Sequence, residues 1–164
     1  MTVMPIILLA AASLSDEDAM VRQTCRVLEA AYTAAIESSV PAYPRNIVQS
    51  RRTIDLKDFH AEYKAALPLH PAEFDELVSR QGLFAVEAYR PLCVPASVPT
   101  VLKDAEGHVQ HSSFTSPIFS SDGSIAVTEV SFREEAGGFG YGMFCIARRS
   151  SASWSAKCTG SWVT

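Results

Sequence analysis

The short signatures that usually betray catalytic or metal chemistry are missing from this sequence. There is no Cys-x-x-Cys and no His-Glu-x-x-His, so no zinc signature exists. No Gly-x-Ser-x-Gly elbow marks a serine nucleophile, and no Gly-Lys-Ser/Thr marks a phosphate loop. An excess of basic charge is also absent. Fourteen Lys and Arg stand against eighteen Asp and Glu, a net charge of −4, which excludes the broad basic face of a nucleic-acid binder. The longest apolar run, Met4 to Ala12, falls far short of the ~20 residues a spanning helix needs. Internal repeats and low-complexity tracts are lacking too. What is present is the composition of an ordinary globular domain: 164 residues, 48% hydrophobic and 20% charged, enough for one core.

The amino terminus, Met1 to Leu14, has the length and small residues of a secretory segment, with Ala10-Ala11-Ala12 as a candidate cleavage site before Ser13. No Lys or Arg precedes the apolar run, which departs from the pattern. The alternative is a buried first element of a cytosolic domain. Residues 1–12 are thus a candidate signal peptide, and residues 13–164 a single α+β domain. Its helical part covers about 15–82 and its β part about 108–164.

About three helices are expected. Ser15 is a good N-cap, and Asp16, Glu17 and Asp18 suit the positive end of a helix dipole. Val21, Cys25, Leu28, Tyr32 and Ile36 then recur at helical spacing until Pro41 and Pro44 stop the helix. A second helix is predicted near Leu56, capped by Asp55, with Ile54 and Phe59 as a hydrophobic staple and Pro68 as its end. Pro71 opens the third, which buries Phe74, Leu77 and Val78 and has Gly82 as its natural C′ residue. Leu83 to Leu92 reads as either strand or helix, and Pro91, Pro95 and Pro99 make the next stretch a loop.

From His108 the pattern changes to an antiparallel meander of about four strands. Phe114 to Phe119 contains Pro117, which belongs at an edge or a bulge. The turn Ser121-Asp122-Gly123 precedes the β-branched run Ile125 to Phe132, and Gly137-Gly138 turns the chain into Phe139 to Arg148. In the last strand Trp154, Ala156, Cys158, Gly160 and Trp162 alternate with polar residues, so they share one face. A turn centred on Ser151-Ala152 sets Tyr141 opposite Trp162, Met143 opposite Gly160 and Cys145 opposite Cys158. It also sets Arg149 across from Trp154.

Four cysteines can pair three ways. Opposed strand residues sit at Cα separations of about 4.5 or 5.5 Å, within reach of a disulfide, so Cys145 and Cys158 are the candidate pair in an oxidising compartment. That bond is worth about 3 kcal/mol by chain entropy; the alternative is two free, buried thiols. Cys25 looks like core, and a Cys25–Cys93 bond is open geometrically but is supported by no spacing rule.

His108 and His111 point to opposite sides of a strand, and His60 and His70 have no ligand-like partner. The run Gly137-Gly138-Phe139-Gly140-Tyr141-Gly142 leads into a strand, not the helix a phosphate cradle needs; Gly140 and Gly142, two apart, instead leave room for a neighbour to pack closely. Glu134 and Glu135, beside Gly137 and Gly138, form a solvated hairpin tip and a candidate interaction site. The doublets Arg51-Arg52 and Arg148-Arg149 lack interleaved aromatics. No catalytic residue, cofactor or metal is indicated.

The run Phe114 to Gly123, then Ile125-Ala126-Val127, then Gly137 to Gly142, Trp154 and the closing Trp162-Val163-Thr164, resembles a group of uncharacterised small bacterial proteins that are exported or lipid-anchored and end in a tryptophan-bearing hairpin. The likeness covers about the last fifty residues. Many members carry cysteines around the glycine-rich turn, where this chain has Ala136. The resemblance implies export and brings no activity. The leading expectation is a non-catalytic exported domain that binds a protein or cell-envelope component, with no nucleic acid and no membrane span. The alternatives are a small hydrolase with a spatially assembled Asp, Glu, His and Ser site, and a cytosolic inhibitor or immunity-type protein.

Overall fold

Along the chain run helix α1 (Leu9–Ala35), strand β1 (Tyr43–Pro44), helix α2 (Pro71–Arg80), then strands β2 (Pro99–Thr100), β3 (Gln110–Phe114), β4 (Ile118–Phe119), β5 (Ile125–Glu134), β6 (Gly140–Ser150) and β7 (Ser153–Val163). This computed structural model describes residues 9–58, 67–135 and 137–164, with residues 9–15 described in their backbone alone. The class is α+β, built on an antiparallel sheet of five strands in which β3 and β4 both pair with β5, followed by β6 and β7. A separate parallel pair joins β1 to β2, Tyr43 to Pro99 and Pro44 to Thr100.

Alternation along β5 and β6 gives the sheet two apolar faces. One carries Ala126, Val130, Phe132, Cys145 and Ala147 and is covered by α1, which buries Val27, Leu28, Ala31 and Tyr32 against it. The Tyr32 ring sits 6.4 Å from that of Phe114 and 6.1 Å from that of Phe132. Each of these side chains gains about 1.5–3 kcal/mol by leaving water. The other face carries Ile125, Val127, Phe144 and Ile146 and receives Phe74 and Leu77 of α2, with Leu56 and Leu67. An ion pair clasps α2 to β6: Arg148 donates to both oxygens of Glu73, at 2.9 and 2.6 Å, and to the Pro68 carbonyl at 2.9 Å.

Several expectations need correction. Helix α1 begins at Leu9, so Ser15 lies inside it and Asp16 to Asp18 are not in its first turn. Among its described side chains the first buried one is Val27, and Val21 is exposed. Among the described residues there are two α-helices rather than about three. The helix expected from Leu56 is seen as a single 3-10 turn, Leu56–Asp58, whose Lys57 amide donates to Asp55, the cap the sequence marks. Residues 59–66, including Phe59 and His60, lie outside the described residues, as do Met1 to Leu8 of the candidate signal peptide and Ala136. Gly82 does not end α2 in a left-handed conformation; the C-cap Gln81 is right-handed and the chain tightens into a 3-10 turn, Gln81–Leu83.

The expected strand Phe114 to Phe119 is two strands, and the sheet has five strands rather than about four. Pro117 has no amide hydrogen to give to the ladder, and the break around it separates β3 from β4. The turn before β5 does form at Ser121-Asp122-Gly123. Asp122 accepts from the Ser120 hydroxyl at 2.7 Å and the Ser124 amide at 2.9 Å, while Gly123 takes the positive φ of 64° that a side chain disfavours.

Candidate functional site

The β6–β7 hairpin turns at Ser151-Ala152, with Arg149 opposite Trp154, Cys145 opposite Cys158 and Met143 opposite Gly160. Beyond that point the register slips. Gly142, not Tyr141, faces Trp162, and Ser161 is the extra residue of a β-bulge. Because strand residues alternate faces, one inserted residue inverts the facing of every later position. Trp154, Ala156 and Cys158 stay on the α1 face, but Trp162 turns to the opposite one. The expectation that Trp162 shares a face with Trp154 is therefore wrong.

On that opposite face the indole lies against Gly140 and Gly142. A Cβ at Gly142 would meet Trp162 Cδ1 at 2.6 Å and Ser161 Oγ at 2.7 Å, so this position has no room for a side chain. The close neighbour implied by the glycine spacing is Trp162. Beside it is Glu129 of β5, 6% exposed. Its Oε1 accepts from Trp162 Nε1 at 3.1 Å and Ser131 Oγ at 3.2 Å, and its Oε2 accepts from Ser161 Oγ at 3.0 Å. A buried carboxylate is costly unless hydrogen-bonded in this way. Arg52 Nε stands 3.8 Å from Oε1. The guanidinium carbons of Arg52 and Arg133 lie 5.2 and 5.1 Å from the indole centroid, at cation–π distance.

Of these residues Trp162, Arg52, Arg133 and Ser131 line a groove of about 830 Å³. Helix α2 covers only the part of the sheet face near Ile125 and Phe144; the remainder, with His111, Ser113, Ser131 and Arg133, is the floor. Residues 48–53 build one wall. The Val48 amide donates to the Ser112 carbonyl, the Ser50 amide to the Tyr89 carbonyl, both at 2.9 Å, and the Ser50 hydroxyl to the Arg52 carbonyl. Glu87 and Ala88 extend the lining.

The hairpin tip singled out in the sequence is divided by the structure. Glu134 and Gly137 line the groove, whereas Glu135 is exposed and outside the lining, with a carboxylate oxygen 3.8 Å from Nε2 of the floor residue His111. Gly138 is exposed and not part of the lining. His70 is the N-cap residue of α2. His108 and His111 are not brought together; His108 hydrogen-bonds Asp104 at 3.0 Å in an exposed turn, where Glu106 also lies near. The groove residues Arg52, Arg133 and Trp162, and the buried Glu129 behind the indole, carry no linear signature. The usable signal is the Gly140/Gly142 pair, which demands a large partner on the groove face.

Carboxyls displaced from their ordinary pKa lie outside the groove. Hydrogen bonds from Arg148 hold Glu73 down to about 2, and those from Ser120 and Ser124 hold Asp122 to about 2. Asp55 and Glu76 are lowered by hydrogen bonds from Gln81 and Ser121.

Two disulfides frame the other side of the sheet. Cys145–Cys158 joins β6 to β7 across Cα atoms 4.1 Å apart, and its sulfurs rest 3.7 and 3.6 Å from the Ala31 carbonyl oxygen of α1. Cys25–Cys93 ties α1 to the loop after α2, so Cys25 is a tether as well as a packing residue. No helix among the described residues is long and apolar enough to cross a membrane. No family model, curated protein or solved structure matches this chain.

Proposed function

We propose that this protein is an exported, non-catalytic domain that binds a protein or cell-envelope component in the groove beside Trp162. The observation that carries the reading is the sheet face that the described residues cover only in part: a groove of about 830 Å³ with arginine, serine and indole groups along it. Such a volume lies in the range of ligand sites, roughly 300–1,000 Å³. Two disulfides favour an oxidising compartment over the cytosolic inhibitor alternative. Export also suits the start of α1, since removal of residues 1–12 would bring Ser15 and the acids at 16–18 to its beginning. Kinship with the exported proteins that end in a tryptophan-bearing hairpin belongs to the same proposal.

The hydrolase alternative draws less support. Both oxygens of Glu129 are occupied by hydrogen bonds, and the displaced carboxyls sit elsewhere and shift downward, opposite to what a general acid needs. A photo-crosslinker at Gln49, on the groove wall, should give one discrete adduct in intact cells, and the same group at Glu106 should not. Equal labelling from both positions, or none from either, would remove the groove as the binding site. Intact mass before and after reduction tests export: a chain starting near Ser13 whose mass rises on reduction is expected, and full-length protein with four free thiols would exclude it.

A further inference from the structure

We propose that the groove recognises an oxyanion, a carboxylate or a phosphate, carried by a cell-envelope component and held by the guanidinium groups of Arg51, Arg52 and Arg133 beside Trp162. The inference rests on the groove being the binding site and names the chemistry of its ligand.

Three arginines border one groove in a chain whose net charge is −4. Among the described residues Arg51 has no hydrogen bond or ion pair, and Arg133 has only its ring contact. Arg52 reaches Glu129 at 3.8 Å, but that carboxylate already accepts three shorter bonds. Its guanidinium is therefore weakly engaged. A guanidinium placed over an indole is held by the ring while its N–H groups stay available, in the fork geometry that matches carboxylate or phosphate oxygens. Such placement lowers the ordering cost of binding.

One further group in the groove has bonding capacity left. The Ser113 hydroxyl, on the floor, makes no hydrogen bond among the described residues and suits the polar body of a ligand whose anionic end meets the arginines. Glu87 and Glu134 also line the groove and disfavour a ligand that is acidic throughout.

Trp162 itself reports occupancy. The chain has two tryptophans, and Trp154 packs against Phe119 on the opposite face, so W154F leaves Trp162 as the sole indole. Titration of W154F with glucuronate and with glucose 6-phosphate, each a neutral polar body with one anionic end, at constant ionic strength, should give a saturable change in Trp162 emission with at least one of them. R133A should weaken it at least tenfold, and R133K should restore only part. Response to glucuronate alone identifies the oxyanion as carboxylate, and response to glucose 6-phosphate alone as phosphate. Calorimetric titration of the unaltered protein repeats the measurement should W154F fold poorly. A saturable response to neutral maltotriose with none to either anion would overturn the oxyanion proposal while keeping the groove as the site. Anion responses that do not saturate, or that R133A leaves unchanged, would overturn it as salt effects. Silence towards every probe, together with a discrete crosslink from Gln49, would overturn the ligand class alone; silence together with no crosslink would end both readings.

Discussion

The two faces of the sheet are covered to different extents. Along α1 the face is packed: Leu28, Ala31 and Tyr32 meet Phe114, Val130 and Phe132, and Cys25–Cys93 ties the helix to the loop after α2. On the other face a ten-residue helix covers one end, and the exposed end is occupied by polar and charged groups. The same strands supply both. Consecutive residues of β5, Ser131 and Phe132, belong to the groove and the core respectively. Close packing confers stability on one side, while incomplete cover on the other leaves a place for a ligand.

The widest separation between the faces should come from that adjacent pair. Phe132→Ala removes a fully buried ring and is expected to cost about 3–5 kcal/mol. Ser131→Ala removes one hydrogen bond to Glu129 and is expected to cost about 1 kcal/mol. Urea denaturation of both variants makes the comparison, and equal losses would erase the distinction between the faces.

Next come the disulfides. Chain entropy gives about 4 kcal/mol for the bond closing 68 residues, Cys25–Cys93, and about 3 kcal/mol for the one closing 13, Cys145–Cys158. Paired serine substitutions, C25S with C93S and C145S with C158S, should therefore lower the melting temperature in that order.

A smaller effect is expected on the groove face. Gly142→Ala drives a methyl group into the indole and hydroxyl above it, with a loss of about 1–3 kcal/mol and displacement of Trp162. A shifted Trp162 emission with a near-native circular dichroism spectrum is the expected result. An unaltered emission would place the indole elsewhere.

The last prediction concerns the end of that face which α2 does cover. Glu73, ordinarily near 4.5, is held at about 2 by Arg148, so its contribution to stability is complete above 4.5 and is lost as pH falls towards 2. Melting temperatures between pH 6 and 2 should fall less steeply for E73Q than for the unaltered protein. Parallel profiles would dismiss the clasp as a source of acid sensitivity.

Legibility tracks the range of the interaction that decides each element. Ser121-Asp122-Gly123 and Ser151-Ala152 are turns made by their own residues, so the hairpins they join are readable. The stripe of α1 is readable at Leu28 and Tyr32 because helical periodicity is local. The bulge at Ser161 is not, since no residue type announces it; only the demand of Gly140 and Gly142 for a close neighbour points to it. The start of α1 misleads because Ser15 has cap chemistry while the residues before it also support helix. The groove wall at 48–53 is irregular backbone held by Ser112 and Tyr89, contacts that no periodicity encodes. Cys25 and Cys93 meet because α1 and the loop after α2 are adjacent in space alone.

The order of the cysteines has a consequence for how the chain is made. The bonds join first to second and third to fourth, with no crossing. A polypeptide that emerges amino end first exposes Cys25 and Cys93 before either hairpin thiol exists, and domains form in that direction during synthesis. Joining each thiol to the next one to appear yields the native set directly. A chain that pairs its thiols in that order reaches the native set without the seconds-to-hours reshuffling that interleaved connectivities impose.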